Sequence, residues 1–311
     1  MTKKLISLLL VLVLAFSLVA CSKDEEKPAE TATETNTEEN TEEKTEEQAP
    51  EASNEPITVI SREDGSGTRG AFIEITGIEE KDGDTKVDRT TVDAVVQKST
   101  NAVLMTVNGD KNAIGYISLG SLNDSVKAAK VEGVEASADN VLDGSYKIAR
   151  PFNIVYKGEA DGLKKDFIDF MMSKEGQEMV LENKYVQVDT AAAEYKQNSQ
   201  SGKLVVGGST SVTPLMEKFA EKYMEMYPDV KIEIQSTGSS AGIQAAIEGA
   251  ADLGMASRDL SDEEKAELTN VVIAKDGIAV IVNNDNAIDD LSLDQIKAIF
   301  VGETKTWGDI K

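Results

Sequence analysis

A guanidinium, two small hydroxyls and several glycines come together in the run Arg62-Glu63-Asp64-Gly65-Ser66-Gly67-Thr68-Arg69-Gly70. The run follows the β-branched stretch Ile57-Thr58-Val59-Ile60 and leads into a helical pattern. A helix start carries unpaired N–H groups and partial positive charge, so such a turn suits a small oxyanion. Two further turns have the same character, Gly207-Gly208-Ser209-Thr210-Ser211 and Ser236-Thr237-Gly238-Ser239-Ser240-Ala241-Gly242. One such turn is ordinary loop chemistry. Three, each between a strand-like and a helix-like run, are expected to converge on one anion.

Other chemistries are poorly supplied. The 311 residues contain no His, which excludes Ser-His-Asp and Cys-His nucleophile systems and His-ligated zinc. One Cys permits no disulfide within the chain, and no carboxylate cluster suggests a bound cation, so neither metal nor cofactor is expected. The net charge of −24 argues against a nucleic-acid partner. It does not argue against anion binding, because bulk charge is screened within about 10 Å while donors act at contact. Gly65-x-Gly67-x-x-Gly70 also fits a dinucleotide fingerprint, with Asp88 near the place of a ribose-binding acid. An exported protein has little access to dinucleotides, and the run lacks the Lys of a Walker loop.

Export is read from the start of the chain. Residues 1–20 have a basic Lys3-Lys4 region and an apolar stretch too short for a membrane span, a signal-peptide pattern. Leu18-Val19-Ala20-Cys21 resembles a bacterial lipobox, which implies a lipidated (palmitate-bearing) Cys21 and a membrane anchor on the extracytoplasmic face. Residues 21–55, rich in Glu and Thr, are expected to form a disordered acidic tether.

From Pro56 onward strands alternate with helices, the pattern of an α/β protein with mostly parallel sheets. Residues 88–107 read as a helix on the spacing of Val92, Val95, Val96, Val103 and Val107. Leu204-Val205-Val206 is a strand, and Pro214 fits the first turn of the helix after it. Ser261–Glu264 and Ser292–Gln295 have capping-box spacing. Every Gly/Ser/Thr turn follows a strand, which is where such sheets bind ligands.

Residues 62–69, 208–212, 236–243 and 256–260 resemble the motifs of the phosphate-binding lipoproteins of phosphate-specific ABC importers. Residues 112–119, and Ile299-Phe300-Val301-Gly302 with Trp307, are similar to the same family. The resemblance implies a two-lobed type II periplasmic-binding-protein fold, with phosphate held in the interlobe cleft and delivered to permease subunits. It implies no catalysis and a monomer. The phosphate ligands it implies are Thr210, Ser211, Ser239, Arg62, Ser66, Gly67 and Thr68, with Asp64 orienting Arg62, and Arg258 is read as a further phosphate-binding residue of this chain. Some members place a proton-accepting Asp where this chain has Arg258; the nearest acid here is Asp259. The motif order is exchanged relative to the family, as in a circular permutation. On this reading residues 56–120 and 283–311 form lobe one, and residues 121–282 form lobe two. The competing readings are a phosphate-ester hydrolase, for which no nucleophile–base pair is visible, and a phosphate-sensing surface lipoprotein.

Overall fold

The computed structural model describes residues 54–83 and 85–310. The signal segment, Cys21 and the acidic stretch through residue 53 lie outside the described residues.

The fold begins with β1 (Thr58–Arg62), α1 (Gly67–Ile75) and a hairpin of β2 (Glu79–Asp82) and β3 (Thr85–Asp88). Then come β4 (Val95–Gln97), α2 (Thr100–Gly109), β5 (Ala113–Ser118), β6 (Lys127–Ala128), β7 (Lys130–Val131), α3 (Ala138–Leu142) and β8 (Ala149–Tyr156). Helices α4 (Gly162–Met171) and α5 (Lys174–Glu182) precede a second α/β run. It comprises β9 (Gly202–Gly208), α6 (Thr213–Met226), β10 (Val230–Ser236), α7 (Ser239–Glu248), β11 (Leu253–Ala256) and α8 (Asp262–Glu267). The 14-residue β12 (Thr269–Val282), β13 (Asp290–Leu291) and α9 (Leu293–Phe300) complete it.

Strands join in the order β10-β9-β11-β8-β12-β5-β1-β4, with β6 also on β12. β9 pairs in parallel with β10 and β11, and β1 in parallel with β4 and β5. The two parallel groups are joined through antiparallel pairs of β8 and β12. β12 serves both: residues 269–277 lie along β8 and residues 278–282 along β5.

Each parallel group is covered on both faces, as parallel sheets require. Phe152, Phe167, Phe170, Leu215, Phe219, Tyr223 and Ile273 pack on one face of the β9 group, and Val155, Ile243, Ala246 and Leu260 on the other. Around β1 and β5, Phe72, Tyr116, Ile148, Ile278, Ile299, Phe300 and Trp307 fill one face, and Ile60, Val103, Ile117 and Ile281 the other. Val126, Val131, Val141, Tyr146 and Ile148, together with residues 278–282, therefore pack with β1 rather than with β9. The expected boundaries at 120/121 and 282/283 miss this. The interruption Lys275-Asp276-Gly277 in the apolar β12 falls where the strand leaves β8 for β5, and the sequence reading gave it no weight.

The helix expected over residues 88–107 is confined to Thr100–Gly109, capped by Ser99, whose hydroxyl accepts from the Ala102 N–H at 3.1 Å. Val92, Val95 and Val96 are exposed and β4 is an edge strand, so their helical spacing reflects no buried face. Both expected capping boxes form. Near the chain ends, Pro56 and Thr306 form an antiparallel bridge, and the Ile57 N–H donates to the Lys305 carbonyl at 2.8 Å.

Candidate anion site

β1 delivers Arg62 to the end of the sheet, where it is only 2% exposed. Its backbone N–H donates to the Tyr116 hydroxyl at 3.1 Å, and that hydroxyl also bonds Ser61 Oγ at 2.9 Å. Burial pushes the Tyr116 phenol up, so it stays a neutral donor and acceptor here. The Arg62 guanidinium donates through Nε and Nη2 to Glu63, both at 2.8 Å, and through Nη2 to Thr210 Oγ1 at 3.0 Å.

The turn after β1 closes on Ser66, which caps α1 by accepting from the Arg69 N–H. Gly67 follows, and a Cβ there would stand 2.4 Å from Ser239 Oγ and 2.7 Å from Ser257 Oγ, so two turns touch only because position 67 has no side chain. The turn after β9 opens α6, where Ser209 Oγ accepts from the N–H groups of Ser211 and Val212. Gly208 has φ +140°, and a Cβ on it would strike the Met255 carbonyl oxygen at 2.3 Å. Its own carbonyl accepts from the N–H groups of Thr237 and Gly238, both at 2.9 Å, which sets the turn before α7.

The three turns meet. Thr68 Oγ1 lies 2.8 Å from Ser211 Oγ, and the Ser240 N–H donates to the Gly65 carbonyl at 3.0 Å. Ser66, Thr68, Ser211 and Ser239 are all buried. Hydroxyls can donate or accept, so this knot of helix N-termini, hydroxyls and one guanidinium can turn its donors toward an anion of a few oxygens.

Other expected positions fall differently. Asp64 does not orient Arg62: it is 98% exposed and pairs with Arg69 at 2.9 Å, while Glu63 holds Arg62. Arg69 binds back to the turn through the Arg62 carbonyl at 2.8 Å and Asp88 at 2.8 Å. Burial alone would raise the Asp88 carboxyl, but hydrogen bonds from Thr90 and Arg69 hold it below its usual value. Arg258 spends its terminal nitrogens on Glu264 at 2.7 and 2.8 Å, and of the anion turns it touches Ser240 Oγ, at 3.4 Å. Its hydrogen bond lowers the Glu264 carboxyl, keeping the pair ionised. Asp259 is exposed, and its carbonyl rather than its carboxylate accepts from Arg258.

Four participants went unread in the sequence. Thr100 Oγ1 stands 3.2 Å from Thr210 Oγ1 and 3.3 Å from Ser211 Oγ; its signal was the Ser99 cap, hidden by the mistaken helix. Ser257 Oγ accepts from Ser209 Oγ at 2.9 Å, and its N–H donates to Ser239 Oγ at 3.2 Å. Arg150 donates to the Ser257 carbonyl at 3.0 Å. Glu63 is the fourth. Among the described residues no group of His, Cys, Asp and Glu is placed to hold a metal ion.

A model of the PBP superfamily domain matches residues 33–175 and 193–310. The chain belongs to the PBP superfamily. Phosphate-binding protein PstS 2 of Streptococcus pneumoniae serotype 4 is 49% identical to this PBP chain over 261 residues, 84% of this chain and 90% of that protein. PstS 2 of Streptococcus agalactiae serotype V is 51% identical over 263 residues, 83% and 89% of the two chains. The crystal structure of a phosphate-binding protein of a phosphate ABC transporter from S. pneumoniae matches with a TM-score of 0.68 and 55% identity, over 83% of this chain and 100% of that one. The type II periplasmic-binding-protein architecture expected from the motifs is thus the fold of this PBP chain.

Proposed function

We propose that this protein captures inorganic phosphate outside the cytoplasm and hands it to the permease subunits of an ABC importer, without catalysing a reaction. The convergence of three strand-to-helix turns on Arg62, Thr68, Ser211 and Ser239 carries this reading. The relatives that align over most of the chain are phosphate-binding proteins by name.

The hydroxyls of Thr68, Thr210, Ser211 and Ser239 would exchange their mutual bonds for bonds to phosphate oxygens. Ser66, Gly67 and the first N–H groups of α1 would supply the helix-terminal field. Arg62 supplies the formal charge, aimed by Glu63. Arg258 sits at the rim, where its pair with Glu264 leaves Ser240 as its link to the turns. Residues packing around β1 and those packing around β9 would be the two lobes, each contributing one side of the site. Cys21 would carry the lipid that holds a monomeric protein at the extracytoplasmic face of the membrane. The Pro56–Thr306 bridge supports the permuted reading, because it sets side by side the two stretches that family order would run together.

Equilibrium dialysis of the purified protein with labelled phosphate, competed by sulfate and molybdate, tests this reading. Phosphate retention resisting equimolar sulfate is expected, with no phosphate-ester turnover. Equal displacement by sulfate, or no retention at all, would refute it.

A further inference from the structure

Where β12 passes from one core to the other, Asp276 stands opposite Arg150 and Gly277 opposite Ala149. Both charged side chains are almost fully buried, at 0% and 1% exposure. Arg150 donates to Asp276 Oδ2 through Nε at 3.3 Å and Nη2 at 3.0 Å, and Ser118 Oγ, at the end of β5, donates to Asp276 Oδ1 at 3.1 Å. The remaining arm, Arg150 Nη1, donates to the Ser257 carbonyl at 3.0 Å. Ser257 in turn contacts Ser209 and Ser239, one from each of two anion turns.

We propose that Arg150 and Asp276 are positioning residues for the anion site: they tie the strand crossing to Ser257 and so hold two of the three turns in register. This rests on the phosphate-binding reading above. A buried ion pair is a weak source of stability, since desolvation offsets its attraction, and an apolar pair of similar volume often stabilises as well or better. Stability alone therefore gives no reason for this pair. Geometry does: a guanidinium has five donors in a fixed plane, so one group can hold a carboxylate and aim at a carbonyl together. Asp276 balances the buried Arg150 charge at 3.0 Å.

The test compares Arg150→Lys and the double change Arg150→Met with Asp276→Leu, reading phosphate affinity by calorimetry and Tm without phosphate. Lysine keeps the charge but lacks the planar fork, so Tm should stay close to wild type while affinity falls about fivefold, the size of one lost hydrogen bond. The double change removes both charges; it should retain or raise Tm and still bind phosphate about tenfold more weakly, since nothing then holds the Ser257 carbonyl. Affinity within about twofold of wild type in either variant would overturn the proposal. Phosphate binding by the wild type is measured alongside: its absence would count against the phosphate reading, whereas its presence with unaltered variants counts against the positioning role alone.

Discussion

Arg62→Ala is the most informative perturbation of the site. The wild-type guanidinium is 2% exposed and makes three hydrogen bonds, two to Glu63 and one to Thr210. Its removal has two consequences for an incoming anion. A charge-assisted hydrogen bond is lost, worth about 1.5–3 kcal/mol. The Glu63 carboxylate, 22% exposed, is also left unpaired and repels the anion. The first effect alone predicts a loss of about 10- to 150-fold in phosphate affinity at 1.4 kcal/mol per decade. The second is separable. Arg62→Ala combined with Glu63→Ala removes the repelling charge and should bind phosphate more tightly than Arg62→Ala alone. Calorimetric titration of wild type, both single variants and the double completes the cycle. Affinity within about twofold of wild type in Arg62→Ala, or a double variant weaker than that single, would refute the reasoning.

Gly67→Ala should cost about 1–3 kcal/mol of stability or an equivalent loss of affinity, because its methyl would overlap Ser239 and Ser257; Tm and calorimetry read the two. Asp259→Asn should leave the phosphate-to-sulfate affinity ratio unchanged, since its side chain is exposed; a large loss of discrimination would restore it as a proton acceptor. Burial raises the Asp276 carboxyl to about 6 against the pull of Arg150 and Ser118, with Tyr146 and Tyr185 also facing it. A raised carboxyl pKa means the folded state binds the proton more tightly, so the associated stability is present below about pH 4 and lost as pH rises to about 6. The Tm difference between wild type and Asp276→Asn should therefore change across that window and be flat above it. Tyr195→Phe removes the hydroxyl that donates to Asp166 and accepts from Tyr227, and should lower stability by about 1–2 kcal/mol in denaturant melts without altering phosphate affinity.

The site was legible where local chemistry announces it. A β-branched run followed by Gly, Ser and Thr and then a helical pattern located all three turns, and Pro214 and the two capping boxes marked helix starts as expected. Local patterns misled at Val92, Val95 and Val96, where helical spacing met no core. Arg62 found its partner in the next residue, not in Asp64, because the strand end faces inward while the turn faces solvent. Arg150 and Ser257, or Thr100 and Ser211, are each separated by more than a hundred residues. Such pairs are made by the strand order, and no spacing along the chain encodes them.

A crystal structure grown with arsenate, a tetrahedral oxyanion with its own anomalous signal, tests the central claim most directly. We predict one arsenic peak, with oxygens within hydrogen-bond distance of Thr68, Ser211, Ser239 and Arg62, and the Thr68–Ser211 bond opened to admit them. An anion bound elsewhere, or a peak at the turns while those hydroxyls remain paired with each other, would contradict it.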